Sequence, residues 1–171
     1  RTVQLWNAQT GAAGRTIQGA SSPVAFNFGA QVITAIEAGN TLGSWDASSG
    51  ALRGRLSNFS FNATAFSRDE RMLAAGGQDG KVSTWDSSNG NLLLSLNAHR
   101  DSVNSIAFSP DGSLLVTGSK DKMVKLWEVA TGRELASFQS NSDVESVAFN
   151  PSGHQIAVGS MGGIIHVLNI K

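Results

Sequence analysis

The sequence predicts an all-β fold of about four repeated units, each a four-stranded antiparallel sheet. The prediction depends on three landmarks that recur with one period of about 40 residues. A tryptophan ends a short alternating segment at Trp6, Trp45, Trp85 and Trp127, with spacings of 39, 40 and 42 residues. A phenylalanine preceded by alanine occurs at Phe26, Phe66, Phe108 and Phe149, and a turn glycine follows each tryptophan at Gly11, Gly50, Gly90 and Gly132.

The first elements in chain order are the last two strands of an incomplete unit, predicted at 1–6 and about 15–18. Residues 3–6 alternate in polarity, which is typical of a strand with one buried face. Three complete units follow, and the second of them has an inner hairpin turn at Gln78-Asp79-Gly80-Lys81.

The third complete unit shows its layout most clearly. Its four predicted strands span 103–108, 114–118, 123–127 and 134–138. Ser109-Pro110-Asp111-Gly112 predicts a tight turn after the first strand, because proline presets the second turn position and Asp-Gly favours positive φ. Further turns are expected at 120–122 and 130–132, and no window favours an amphipathic helix.

A single sheet of this size cannot bury both of its faces, so each unit needs a neighbour on each side. Twisted sheets packed face to face around an axis solve this problem, which is the β-propeller arrangement. The recurring tryptophan and phenylalanine side chains should then be the core residues of successive sheets, called blades.

The final unit supplies only three strands, within 140–171. Third strands therefore lie at both ends of the chain and do not complete one another. The sequence predicts an open arc cut from a larger propeller, with a closed ring of four blades as the less favoured alternative. The expected single segment, 1–171, comprises a partial blade 1–18, blades at about 19–57, 58–97 and 98–139, and a partial blade 140–171.

These repeats resemble the WD-repeat (WD40) β-propeller family, whose units run from a Gly-His pair to a Trp-Asp pair. Trp45-Asp46 and Trp85-Asp86 match the closing pair, Trp127-Glu128 and Trp6-Asn7 nearly match it, and Ala98-His99 stands where Gly-His belongs. The resemblance covers essentially the whole chain. It implies a parent propeller of typically about seven or eight blades, an intracellular location (cytoplasmic or nuclear) and a role in protein–protein interaction.

Composition argues against several other classes of protein. The formal net charge is zero and the basic residues are scattered, so no nucleic acid partner is expected. No apolar run is long enough to cross a membrane as a helix, and the absence of cysteine excludes disulfides and thiolate metal sites. The sequence begins at Arg1 without a leader pattern, which we interpret as a cut inside a longer protein.

One constellation invites a catalytic interpretation. His99, Thr117 and Asp121 combine an imidazole, a hydroxyl and a carboxylate, as in a hydrolytic triad. The resemblance instead implies a structural hydrogen-bond network that runs from Trp127 through Thr117 and His99 to Asp121, with Ser119 as an alternative hydroxyl. Only this unit has the full set, since other units carry Ala75, Asn40, Met161 or Leu168 at the matching positions.

Other polar groups favour structural interpretations. His99, His154 and His166 occupy different repeat positions without the spacing of metal ligands, so no metal or other cofactor is expected. The glycine-rich segment 159–163 has no helix after it, which argues for a hairpin turn over a phosphate loop. Asp69 and Glu70 are expected to be solvated carboxylates of a surface turn.

The resemblance implies that partners dock where the loops between blades meet the inner hairpin turns. The matching residues are Gln78, Arg100, Asp101, Ser102, Lys120, Ser142 and Asp143. The leading hypothesis is a non-catalytic scaffold that binds proteins or peptides. The alternative is a regulatory or sensor region of a larger enzyme or signalling protein. The uncovered blade faces at the two ends also predict self-association.

Overall fold

The structure of the protein is a computed structural model. It describes residues 2–27, 29, 31–37, 41–57 and 61–170. These residues form 17 strands and no helix. The first ten strands are β1 (Thr2–Trp6), β2 (Ala13–Gln18), β3 (Ala20–Phe26), β4 (Val32–Glu37), β5 (Leu42–Asp46), β6 (Leu52–Ser57), β7 (Phe61–Phe66), β8 (Met72–Gly77), β9 (Lys81–Asp86) and β10 (Leu92–Asn97). The remaining strands are β11 (Val103–Phe108), β12 (Leu114–Ser119), β13 (Met123–Glu128), β14 (Glu134–Gln139), β15 (Val144–Phe149), β16 (Gln155–Ser160) and β17 (Ile165–Asn169).

The strands form five antiparallel sheets in chain order, and within each sheet consecutive strands are neighbours. Sheet 1 contains β1 and β2, sheet 2 contains β3 to β6, sheet 3 contains β7 to β10, sheet 4 contains β11 to β14, and sheet 5 contains β15 to β17. The predicted all-β architecture of four-stranded units is therefore confirmed. None of the described segments forms a helix long and apolar enough to cross a membrane.

The residue after each tryptophan begins the turn between the third and fourth strands. In sheet 2 the Asp46 carboxylate accepts hydrogen bonds from the amides of Ser48 (3.0 Å) and Ser49 (2.8 Å). The amide of Gly50 then donates to the Asp46 carbonyl (2.8 Å), and Gly50 has a φ of +70°. A carboxylate suits this position because it satisfies amides that the tight turn leaves unpaired.

The core consists of four apolar clusters, and each cluster lies between two consecutive sheets. Between sheets 1 and 2 the buried members are Ile17, Ala20, Ile33, Ala35 and Trp45, and between sheets 2 and 3 they are Ile36, Leu42, Phe61, Leu73, Ala75 and Trp85. Between sheets 3 and 4 they are Ala63, Ala74, Val82, Ala98, Val103, Ile106, Phe108, Leu115 and Trp127. Between sheets 4 and 5 they are Val116, Val124, Leu126, Val144, Val147, Ile156 and Val158. Both faces of sheets 2, 3 and 4 therefore contribute to the core.

The tryptophans of the complete sheets are core residues, as the sequence predicts. Trp45, Trp85 and Trp127 are all at most 5% exposed, and each packs against the preceding sheet. The ring centroids of Phe61 and Trp85 lie 5.7 Å apart in an edge-to-face arrangement, a favourable geometry for aromatic pairs.

The same expectation is wrong for Trp6 and Phe26, which are 65% and 48% exposed. Trp6 lies on the face of sheet 1 that no other described sheet covers. Phe26 lies on the first strand of sheet 2, and sheet 1 contributes only β1 and β2 to cover that sheet. Burial at these positions depends on the neighbouring sheet as well as on the repeat.

The five sheets form an open arc. Contacts between sheets follow chain order, with β3, β7, β11 and β15 packed successively against one another. No described strand of sheet 5 has an extensive contact with a strand of sheet 1, so the ring is not closed.

Candidate functional site

Four side chains of sheet 4 and its entry loop form a continuous chain of hydrogen bonds. The Trp127 indole Nε1 donates to Thr117 Oγ1 at 3.0 Å, and Thr117 Oγ1 lies 2.7 Å from His99 Nε2. His99 Nδ1 in turn lies 3.0 Å from Asp121 Oδ2. These are the four residues that the sequence singles out, and we call them the His99 network.

The chemistry of the end groups fixes the direction of every proton in the His99 network. An indole can only donate, so Thr117 Oγ1 accepts from Trp127 and is free to donate its own proton to His99 Nε2. His99 then carries its proton on Nδ1 and donates it to Asp121. Burial lowers the pKa of His99, because the charged imidazolium is poorly solvated there, which keeps the ring neutral at neutral pH.

Asp121 anchors the network to the backbone. Its carboxylate accepts hydrogen bonds from the amides of Arg100 and Met123, both at 3.0 Å. Burial alone would raise the pKa of Asp121, but these backbone bonds and His99 hold it below its ordinary value. The ionised side chain thereby ties the loop before β11 to the turn between β12 and β13.

The geometry leaves no accessible nucleophile in the His99 network. Thr117 is fully buried, and the His99 side chain has no exposed surface. Thr117 Oγ1 also accepts a hydrogen bond from the indole N–H of Trp127, and this bond would have to break before the oxygen could act as a nucleophile. A triad needs its hydroxyl beside a substrate cavity, and Thr117 does not meet this requirement.

The described residues at the matching positions of other sheets do not form such a network. Ala35 and Ala75 are fully buried where sheet 4 has Thr117, and Asn40 lies outside the described residues. In sheet 5, Met161 is 72% exposed and Leu168 only partly buried. Sequence reasoning missed three other buried hydroxyls, those of Thr34, Thr64 and Thr84, which have no hydrogen-bond partner among the described residues.

The residues predicted to bind partners all lie along one edge of the sheets, where second strands end and first strands begin. We call it the upper edge. Gln78 lies in the β8–β9 turn, Lys120 in the β12–β13 turn, and the segments 100–102 and 142–143 precede β11 and β15. Gln78, Arg100, Asp101 and Lys120 are exposed, whereas Ser142 and Asp143 are half-buried.

Ser102 differs from the other predicted contact residues because it is buried and hydrogen-bonded through both its side chain and its backbone. Its hydroxyl accepts a hydrogen bond from Asn62 Nδ2, and its carbonyl accepts the Lys120 amide at 3.0 Å. Gln78 Nε2 donates to Asn62 Oδ1 at 3.3 Å, which extends this set of bonds into sheet 3. The structure thus brings Gln78, Ser102 and Lys120 together at the junction of sheets 3 and 4.

A similar bond links sheets 4 and 5. Asn104 Nδ2 donates to the Val144 carbonyl at 3.0 Å, next to Asp143. The Gly162 amide donates to Ser142 Oγ at 2.9 Å, which fixes the β16–β17 turn against the segment before β15. Ser142 and Asp143 therefore belong to this second junction of the upper edge.

Glu70 has a different role from the solvated carboxylate that the sequence suggests. It has a φ of +63°, and its carboxylate accepts hydrogen bonds from Asn27 Nδ2 (2.7 Å) and from the Gly29 amide of sheet 2. Glu70 thus links the turn between β7 and β8 of sheet 3 to residues that follow β3 of sheet 2, at the edge opposite the upper edge. Asp69, in contrast, is exposed and accepts bonds from Ser67 and Arg71 within its own turn.

The remaining candidates show no metal-binding geometry. The His166 ring packs against Phe138, with centroids 5.1 Å apart, and His154 is exposed. Among the residues that the structure describes, no group of three or more histidine or acidic side chains could hold a metal ion.

Comparison with known families agrees with the repeat and its register. The family model described as "WD domain, G-beta repeat" matches residues 50–86, 90–128 and 132–169, which together exceed half of the chain. No individual curated protein matches the chain significantly. Each match begins at a turn glycine and ends with the last residue of a third strand. One sequence repeat therefore comprises the fourth strand of one sheet and the first three strands of the next. Domains of this family are typically non-catalytic and generally serve as protein-interaction scaffolds, and this chain belongs to the WD40 family.

Proposed function

We propose that the chain is a non-catalytic scaffold whose upper edge binds other proteins or peptides. One observation carries the proposal: hydrogen bonds across the junction of sheets 3 and 4 fix the exposed Gln78 side chain and the backbone at Lys120 side by side. Gln78 is fixed through Asn62 to Ser102, and Ser102 accepts the Lys120 amide. A surface whose backbone is already fixed suits a protein ligand, because little backbone entropy is lost on binding.

The His99 network supports the same proposal as a structural device. It fixes the loop that presents Arg100 and Asp101, because the Arg100 amide is bonded to Asp121. We infer no catalytic, cofactor-binding, nucleic acid or membrane role for these residues. We also propose that the whole chain is one segment of a propeller of typically about seven or eight blades. The proposed limits are a partial blade 1–18, blades 19–57, 58–97 and 98–139, and a partial blade 140–171.

The proposal is tested by reversing charge at the upper edge. The double variant Arg100→Glu/Lys120→Glu should lose captured partner proteins, because both side chains are exposed at the proposed surface. Arg133→Glu is the matched control, since Arg133 is exposed in the turn between β13 and β14, at the opposite edge. Proteins retained by the immobilised chain would be compared by mass spectrometry.

Two outcomes separate the possibilities. If the control retains the partners and the double variant loses them, with an unchanged β-type circular dichroism spectrum, the upper edge is the docking surface. If both variants retain the same partners as the unmodified chain, the proposed surface is wrong.

A further inference from the structure

Three cationic side chains at the upper edge have no partner among the described residues, whereas every other described lysine and arginine has one. Arg53, Arg55, Arg71, Lys81, Lys125 and Arg133 all form ion pairs, Arg15 donates to the Ser48 carbonyl, and Arg68 has an interaction of its own. Arg100, Lys120 and Lys122 form neither an ion pair nor a side-chain hydrogen bond with any described residue. All three are exposed and flank the His99 network. We call them the cation cluster.

Lys122 is held in an unfavourable backbone conformation. Its φ is +69°, and the equivalent positions of sheets 3 and 5 are Gly80 and Gly163, with φ of +77° and +73°. The equivalence is structural, because the carbonyls of Gly80 and Lys122 both accept an amide from the loop that leads to the next sheet. A lysine in the left-handed region is strained relative to glycine, and such strain tends to occur at functional positions.

A polar cavity of about 600 Å³ opens beside the cation cluster. It lies between the end of β10, the loop before β11, and strands β13 and β14, and Arg100 forms part of its wall. The wall also includes the amide side chains of Asn97 and Gln139, which form no hydrogen bond with any other described side chain or backbone group. The cavity is of the size that accommodates a ligand group, and its free amides suit the backbone of a peptide.

We propose that the cation cluster and this cavity bind an acidic segment of a partner peptide. Its aspartate or glutamate side chains pair with Arg100, Lys120 and Lys122, and its backbone bonds to Asn97 and Gln139. This inference rests on the proposed scaffold function and names the chemistry of the partner.

Two carboxylates lie close to the cluster, and one of them, Asp121, is part of the cavity wall, but neither forms an ion pair with a cation of the cluster. Asp121 is saturated by His99 and by the amides of Arg100 and Met123. Asp101 Oδ1 accepts the Ser102 amide at 2.6 Å. The cations therefore remain available for charge-assisted bonds with carboxylates of a partner, which are stronger than neutral hydrogen bonds.

The direct test uses a fluorescent ten-residue peptide of alternating glutamate and serine, with a glutamine-for-glutamate peptide as the neutral control. Anisotropy titration of the whole chain should show the acidic peptide binding about tenfold more tightly, as expected for several exposed charge pairs acting together. The preference should fall as salt is added, because exposed pairs are screened. Equal binding of the two peptides would overturn the inference.

The decisive variant is Lys122→Gly, which introduces the glycine found at the equivalent position of sheets 3 and 5. It should weaken binding of the acidic peptide by about threefold, since one exposed pair is lost, while the melting midpoint stays equal or rises. Arg100→Gln should weaken binding similarly, and Arg133→Gln should not. Unchanged acidic-peptide affinity in both Lys122→Gly and Arg100→Gln contradicts the inference, even if partner capture still depends on the upper edge. That result would leave the proposed scaffold function intact and would contradict only the proposed binding of an acidic peptide.

Discussion

At the scale of single residues, the most informative contrast is between threonines buried to the same extent. Thr117 and Thr84 are 0% and 1% exposed. Thr117 Oγ1 is bonded to both Trp127 and His99, whereas Thr84 Oγ1 has no partner among the described residues. A buried hydroxyl stabilises a protein only when its hydrogen bonds are made. The two residues should therefore respond in opposite ways to the same substitution.

Thr117→Val should lower the free energy of unfolding by about 2–3 kcal/mol, because it orphans the Trp127 indole N–H and His99 Nε2. Thr84→Val is the matched control and should be neutral or stabilising by about 1 kcal/mol, since it removes an unpartnered hydroxyl. Urea unfolding followed by tryptophan fluorescence measures both. Equal destabilisation by the two substitutions would contradict the structural role of the His99 network.

The resemblance to the WD-repeat family identified the members of the His99 network, because that family carries a hydroxyl, an imidazole and a carboxylate at the matching repeat positions. It could not reveal that Ser102 is buried, that Glu70 bridges two sheets, or that Lys122 has a positive φ. These properties depend on contacts between sheets and on backbone conformation. The composition of one repeat contains neither kind of information.

At the scale of elements, glycines in the second strands allow the next sheet to approach closely. A Cβ on Gly76 would lie 2.5 Å from Val103 Cγ1, and a Cβ on Gly118 would lie 2.5 Å from Val144 Cγ1. Both valines belong to the first strand of the following sheet and are fully buried. Glycine at these two positions therefore leaves room for the valine of the following sheet. Sheet 2 has Ile36 at the matching position, and there the following sheet has Phe61 in place of the valine.

Gly118→Ala should destabilise the chain by about 1–3 kcal/mol, because the added methyl group overpacks the contact with Val144. Gly159 occupies the same position in sheet 5, where a Cβ would meet only the Ser146 hydroxyl at 2.7 Å. That hydroxyl can rotate away, so Gly159→Ala should change stability little. Thermal unfolding of the two variants makes the comparison, and an equal loss in both would refute the argument.

The strands themselves were largely predictable. In sheet 4 the predicted starts of all four strands agree with the structure, while β12, β13 and β14 each extend one residue further than predicted. The Pro-Asp-Gly turn and the alternation of polarity are local signals, which explains this agreement. The exposure of Trp6 and Phe26 is not local, since it depends on how many strands a neighbouring sheet contributes.

At the scale of the whole molecule, sheet 5 presents an apolar face that no other described sheet covers. Ile165 and Val167 are 75% and 59% exposed. Their equivalents in sheet 4, Val124 and Leu126, are buried against sheet 5. Surfaces of this kind favour association, so we propose that copies of the chain associate through their end sheets.

Sedimentation equilibrium of this chain should therefore show concentration-dependent association. Ile165→Glu combined with Val167→Lys should shift the equilibrium toward monomer, because charged side chains are costly to bury at an apolar contact. Leu93→Glu is the control, since Leu93 is 53% exposed on β10 in sheet 3, away from the end sheets. A monomer at all concentrations, or the same shift in the control, would rule out association through this face.

Because each apolar cluster is shared by only two consecutive sheets, the arc behaves as a linear series of nearest-neighbour contacts. Duplication of one repeat within the gene would therefore create only one new contact, between the two copies, and would leave the contacts with the other sheets unchanged. The effect on packing of a substitution inside one cluster is likewise confined to the two sheets that share that cluster. Such a chain is able to change its length and its binding edge independently during evolution.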